Sequence, residues 1–428
     1  MNSPPALALL LPGNVWSNLA LFAMPAMAIT VPSGSAYPAA LLILAGCVSL
    51  MHKSGRGPLP ASARGMYLSF VPLALCWLLD AILSNMGASG LEMPAKVLAT
   101  LPALFYLTRK PPSHYWLWIG VGAGCLLACA EAAYQVFILH MARAEGGMFS
   151  IHFGDLAVMF GLMSLCAWNL PTQRPVLLRC CLLLVCLAGL LASALSGTRG
   201  AWLTLGLVAL AYLGYLVMQG RYKPFFSIVV ALSVLALFAY FGPKSLGIQG
   251  RIQQATAQYH AYTEASQANS SVGARLQIWK QAIRLYREKP LLGWQHHGYL
   301  EQQRAGIREN VLSPRLAEYD HPHNEVLNAA AKQGTVGVLA LLLAYGGPLL
   351  LFAHWFRSAD PAHNRALRAV CAAGMLVVIA HAGFGLTETY LPHNSPLTIY
   401  FYLLVLLWGT AWGLQQSRPD QSASHPQH

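Results

Sequence analysis

The chain has 428 residues, of which 56% are hydrophobic and only 10% charged, with a formal net charge of +12. A soluble domain carries about 25% charged residues, so this composition excludes a soluble protein of this length. The apolar residues come in blocks long enough to span a hydrocarbon core, about 20 residues each.

Twelve such blocks follow in chain order, near 15–31, 36–51, 66–85, 93–108, 114–139, 152–169, 176–195, 200–218, 224–242, 335–353, 368–387 and 397–414. The first lacks a basic leader and is followed by Val31-Pro32-Ser33-Gly34 instead of a small-residue cleavage site, so it reads as a retained helix. With the N-terminus inside, the even-numbered short connections and the tail carry Lys53, Arg56, Arg64, Arg109, Lys110, Arg174, Arg179, Arg221, Lys223, Arg357, Arg365, Arg368 and Arg418. The opposite side has only Lys96, Arg143 and Arg199 in its short connections. Basic residues in short loops mark the cytoplasmic side, which places the long segment before block ten outside the cytoplasm.

The expected fold is therefore an all-α polytopic membrane protein with about 12 transmembrane helices and one large, mostly helical external loop between helices 9 and 10. Residues 1–243 hold helices 1–9, residues 244–334 the loop, residues 335–414 helices 10–12 and residues 415–428 a cytoplasmic tail. The loop has eleven Lys or Arg against seven Asp or Glu. That excess suits a solvated face, anionic lipid headgroups or an anionic substrate. None of the nine cysteines lies in this loop, so no disulfide framework holds it. Cys125 and Cys129 share a helix face without a nearby His and read as packing residues. There is no internal repeat, phosphate-binding loop or dinucleotide fingerprint, and no nucleic-acid partner is expected.

The densest chemistry lies at the end of the loop, in Tyr319-Asp320-His321-Pro322-His323-Asn324-Glu325 running on to Gly334-Thr335-Val336-Gly337. Pro322 and Asn324 suit a helix start, Val326 to Lys332 a short helix, and Gly334 its stop. His323 then sits at a helix N-terminus, where free N–H groups favour anions. Upstream, Leu276, Trp279, Ile283 and Tyr286 make one apolar helical stripe, with Lys280, Arg284 and Arg287 on one flank and Arg275 on the other. Arg275 needs a partner there, either structural or a ligand. In the short connection Ser196-Gly197-Thr198-Arg199-Gly200, Arg199 can snorkel to headgroups or face a substrate. Asp80, Glu131, Asp155 and Glu388 fall in or beside apolar blocks, where ionisable groups are functional candidates. Glu388 and His393 lie near the external end of block eleven.

His323-Asn324, nine residues, Gly334, two residues and Gly337 resembles the H-[NSQ]-x9-G-x2-[GTY] signature of bacterial O-antigen ligases of the O-antigen ligase/polymerase superfamily. Two other copies fail: His393-Asn394 meets Leu404 at the first glycine position, and His363-Asn364 meets Val377 at the second. The helix count and the placement of the large loop fit the same family. The resemblance implies a glycosyltransferase of the bacterial inner membrane, with its active site on the periplasmic face. It would move O-antigen polysaccharide from undecaprenyl diphosphate to a sugar hydroxyl of lipid A–core. Family arginines assigned to the donor diphosphate match Arg199 and Arg275, and His323 is the expected general base because an imidazole can accept a proton at neutral pH. Tyr319, His321, Asn324 and Glu388 are expected to line the substrate cleft. The absence of any Asp-x-Asp argues against a Mg²⁺ or Mn²⁺ diphosphate site. No metal or other cofactor is expected, and a single displacement would invert the anomeric centre. Protein O-oligosaccharyltransferases and O-antigen polymerases share the signature. A lipid-linked sugar transporter is the non-enzyme alternative, disfavoured by the lack of a repeat and by the gathering of these residues at one face.

Overall fold

The computed structural model describes residues 14–51, 57–198, 200–218 and 271–417. The described chain is all-α. In order it forms α1 (Val15–Met27), α2 (Ala36–Met51), α3 (Ala61–Leu83), the single turn α4 (Gly87–Gly90), α5 (Glu92–Leu98), α6 (Thr100–Arg109) and α7 (His114–Ala133), which ends in a π turn, Tyr134–Ile138. Then come α8 (Ser150–Leu165), α9 (Pro175–Ser196), α10 (Gly200–Met218), α11 (Ser271–Glu288), α12 (Gln295–Arg308), a 3-10 turn (Pro314–Glu318), α13 (Glu325–Ser358), α14 (Arg365–Phe384) and α15 (Asn394–Gln416). Eleven of the twelve apolar blocks coincide with helices, while the block at 224–242 lies outside the described residues. The fourth block is broken into α5 and α6 at Ala99.

Among the described residues, six helices are long and apolar enough to cross a membrane: α3, α7 with its π turn, α9, α13, α14 and α15. Four more apolar stretches, in α1, α2, α8 and α10, run over 10–17 residues. The protein is a multi-pass membrane protein. Its interior is organised on α15, where every residue from Pro396 to Ala411 is buried, as suits a helix that is apolar all round. Leu183, Leu184, Leu187 and Leu191 of α9 and Leu339, Leu342, Leu343 and Leu350 of α13 are exposed. Such leucine faces belong in lipid. Helices approach closely through small residues: a Cβ on Gly189 of α9 would lie 2.9 Å from Gly161 Cα of α8.

Helix α13 begins at Glu325 as the sequence predicts, but Gly334 is a kink and not a stop. Its backbone is left-handed (φ 66°, ψ −157°), and the helix continues to Ser358. Only glycine fits there, because a Cβ would meet Leu291 O at 2.4 Å. The kink frees amides that the α11–α12 connection takes up, Thr335 N–H bonding Pro290 O at 2.7 Å and Val336 N–H bonding Leu291 O at 3.3 Å.

The buried face of α11 differs from the stripe expected. Ala274, Ile278, Ala282 and Leu285 are buried, whereas Ile283 is 39% exposed and Leu276, Trp279 and Tyr286 are only half-buried. The alanines win because α11 docks closely, packing Ala274 and Ile278 against Leu312 and Leu316, and Ala282 and Leu285 against Tyr299 and Ala331. Asp80 of α3 anchors α12. Its carboxylate accepts His296 N–H at 2.7 Å in the first turn and Gln333 Nε2 at 2.6 Å, a favourable place for an anion.

Candidate active site

His323 and Asn324 of the signature, with the neighbouring Glu325, all grip one short segment, residues 385–391, that links α14 to α15. Asn324 caps α13, its Oδ1 accepting Leu327 N–H at 3.0 Å, while its Nδ2 donates to Leu386 O at 3.0 Å. Glu325 N–H donates to Gly385 O at 2.7 Å. The buried Glu325 carboxylate accepts the amides of Tyr390 and Leu391, the second at 3.0 Å. This double grip presents Glu388, whose Oε1 and Oε2 lie 2.8 and 3.0 Å from His323 Nδ1. His323 adopts a left-handed backbone, φ 49°, costing an L residue about 1–2 kcal/mol. The Glu388 contact and the capped helix behind it hold that conformation in place.

The electrostatics follow from this geometry. Burial opposes the charge on Glu388, but the His323 hydrogen bond, the neighbouring imidazoles and the Thr389 amide overcome it and hold the carboxyl at about 2. Glu388 is therefore an anion with acceptor oxygens only, so His323 Nδ1 donates to it, and in the neutral imidazole the lone pair is on Nε2. Among the described residues Nε2 has no hydrogen-bond partner, and the His323 side chain is 18% exposed beside a Glu388 that is 4% exposed. An imidazole held in this way can accept a proton at Nε2.

The other expected residues gather around this pair. The Tyr319 and His321 rings stand edge-on to the His323 ring, with centroids 4.8 and 4.5 Å away. Burial pushes the His321 imidazole down to about 4, against the pull of Glu388. Asn324 spends both ends of its amide on the protein fold. Helix α11 is tied to the same turn by Trp279, whose Nε1 donates to Pro322 O at 2.7 Å. Arg275 lies one turn earlier on that face, half-buried and with no ion pair or hydrogen bond among the described residues. Arg199 lies outside the described residues. Its flanks are described: Thr198 Oγ1 donates to Ser150 O at 3.0 Å, and a Cβ on Gly200 would lie 2.6 Å from Thr387 Oγ1, next to Glu388. Arg143, also flagged by topology, donates through Nε to Ser196 O at 2.7 Å in the same connection.

Of the remaining acidic candidates, Asp155 accepts the Tyr390 hydroxyl at 3.1 Å and so abuts the site, whereas Asp80 holds α12 and Glu131 faces Gln135 at 3.4 Å. The pairing of Glu388 with His323 was not visible in the sequence. The only signal was an ionisable residue at the edge of an apolar block 65 positions downstream. Lys280, Arg284 and Arg287 line a separate open groove of about 520 Å³ on the outside of α11.

A multi-pass helical membrane protein with a carboxylate-oriented histidine at a helix start is thus the class that fold and site define. Residues 182–342 match the sequence profile of the O-antigen ligase family, bearing out the resemblance read from the signature. That segment contains Arg199, Arg275, His323, Asn324, Gly334 and Gly337, but not Glu388. An uncharacterised Haemophilus influenzae protein is 22% identical over 87% of this chain and 92% of its own length. The Escherichia coli O-antigen ligase is 26% identical over 154 residues, 36% of each chain.

Proposed function

We propose that this protein is an O-antigen ligase of the bacterial inner membrane. It transfers a polysaccharide from undecaprenyl diphosphate to a sugar hydroxyl of lipid A–core at the periplasmic face. The observation that carries the reading is the His323–Glu388 pair, in which the histidine of the family signature meets a carboxylate from the α14–α15 connection. The acceptor hydroxyl gives its proton to His323 Nε2 as its oxygen attacks the anomeric carbon of the donor. The bond from that carbon to the diphosphate oxygen breaks, and the electron pair leaves with the diphosphate. Glu388 keeps the imidazole in the reactive tautomer and stabilises the imidazolium that forms. Arg275, unpaired among the described residues on the helix tied to the His321–His323 turn, and Arg199, in the connection whose flank touches Thr387, neutralise the departing diphosphate. Guanidinium forks bind phosphate oxygens bidentately and stay charged at any relevant pH. With both arginines in place the reaction needs no metal, and one displacement inverts the anomeric centre.

The test is transfer in vitro with purified protein, a lipid-linked glycan donor and lipid A–core, in EDTA. Wild type is expected to transfer, and His323→Ala to lose about 10²–10⁴-fold, the usual contribution of a positioned general base. Arg275→Ala is expected to lose donor turnover while retaining the thermal stability of wild type. Wild-type transfer that depends on an added divalent ion would refute the two-arginine account. Undiminished transfer by His323→Ala would refute the assignment of the base.

A further inference from the structure

Behind His323, one donor atom each from His321, Glu388 and His393 lies within 4.8 Å of the others. His323 N–H points at His321 Nδ1, 3.3 Å away, so that nitrogen holds a lone pair. It faces Glu388 Oε1, another acceptor, at 3.8 Å. A cation drawn to these two acceptors would take the His321 lone pair from the His323 N–H. A further buried imidazole lies beside this group. His152 of α8 is 94% buried (6% exposed), its ring centroid is 4.8 Å from that of His393, and its Nε2 has no hydrogen-bond partner among the described residues. A buried ring nitrogen without a partner is rare in a finished fold.

We propose that His321, Glu388 and His393, with His152 as the fourth donor, form a binding site for a Zn²⁺-like divalent cation whose occupancy switches off transfer. Imidazole nitrogens with one carboxylate select Zn²⁺ over the oxygen-seeking Mg²⁺ and Ca²⁺. Zinc bonds of about 2.0–2.2 Å require the three donors to draw together from their present spacing, which side-chain rotation at His321 and His393 supplies. The site stands on this geometry alone. The inhibition rests on the ligase reading: a cation on Glu388 takes the carboxylate that orients His323, so the base loses its positioning partner.

Binding is read separately from activity, with untagged, EDTA-stripped protein titrated with Co²⁺ and followed by its visible absorption. A tetrahedral Co²⁺ spectrum that Zn²⁺ abolishes is expected, with affinity weakened about tenfold or more in His393→Ala and in His152→Ala. In the EDTA-competent transfer assay, added Zn²⁺ is expected to suppress wild type, and about tenfold more should be needed for His393→Ala. No metal spectrum, or one unchanged in both variants, overturns the site. Binding without inhibition, or inhibition equal in wild type and His393→Ala, overturns the switch while leaving the base assignment intact. Activity that appears only when Zn²⁺ is added overturns the switch and the metal-free reading together.

Discussion

Two clusters of ionisable residues stand in the same stretch of chain, and they are built differently. On the outer face of α11, Lys280, Arg284 and Arg287 surround an open groove, where Arg284 and Glu288 form an exposed ion pair of 3.3 Å. Such pairs contribute little. At the start of α13, His323, Asn324 and Glu325 each spend hydrogen-bonding groups on residues 385–391. The first cluster has more charge; the second has a closed set of partners, with one imidazole nitrogen left over. Preorganised polar groups that are satisfied everywhere except toward the reactant mark a site better than charge density does.

The sharpest way to break this comparison is Glu388→Gln, which keeps the shape and removes the anion. Transfer is expected to fall by about 10²-fold, less than in His323→Ala. The pH profile sharpens it. Glu388 remains ionised at every pH well above about 2, and His321 remains neutral well above about 4. Neither of these two groups changes charge between pH 6 and 8, so neither sets the acid limb of the rate profile. Removing a neighbouring anion disfavours imidazolium, so the limb should move to lower pH in Glu388→Gln. An unmoved limb would mean that the pair does not govern catalysis.

Next in size is Glu325→Ala, which strips the amides of Tyr390 and Leu391 of their acceptor in a buried place. A loss of about 2–4 kcal/mol in stability is expected from two orphaned groups, read as a lower thermal midpoint in detergent, with activity falling because Glu388 is no longer presented. Gly334→Ala should cost about 1–3 kcal/mol, because its φ is 66° and a Cβ would strike Leu291 O. Gly337→Ala, crowded mainly by the Gln333 side chain of its own helix, should cost less. Smallest of all, Lys280→Ala, Arg284→Ala and Arg287→Ala together are expected to change transfer by no more than about twofold, as exposed charges contribute little in water. A larger loss from that triple variant would show that the open basic face binds substrate after all.

Much of this protein was legible in its sequence because the relevant physics is local. Apolar length places helices wherever the solvent is a bilayer, since every backbone amide there must be satisfied within the segment. The Asn324 cap is likewise a property of a few consecutive residues, and the spacing of His323, Gly334 and Gly337 carried the family resemblance, whereas Gly334 read as a helix stop and is a kink. Tertiary structure alone decided which face of α11 is buried, since Ala282 and Ala274 win by allowing close approach and not by their own hydrophobicity. It also decided that Asp80 is an anchor for α12, and that Glu388 is the partner of His323. That pair joins positions 65 residues apart through hydrogen bonds between a helix start and an interhelical connection. No periodicity or spacing along a chain encodes such a meeting, because it exists only once the helices between the two segments have packed.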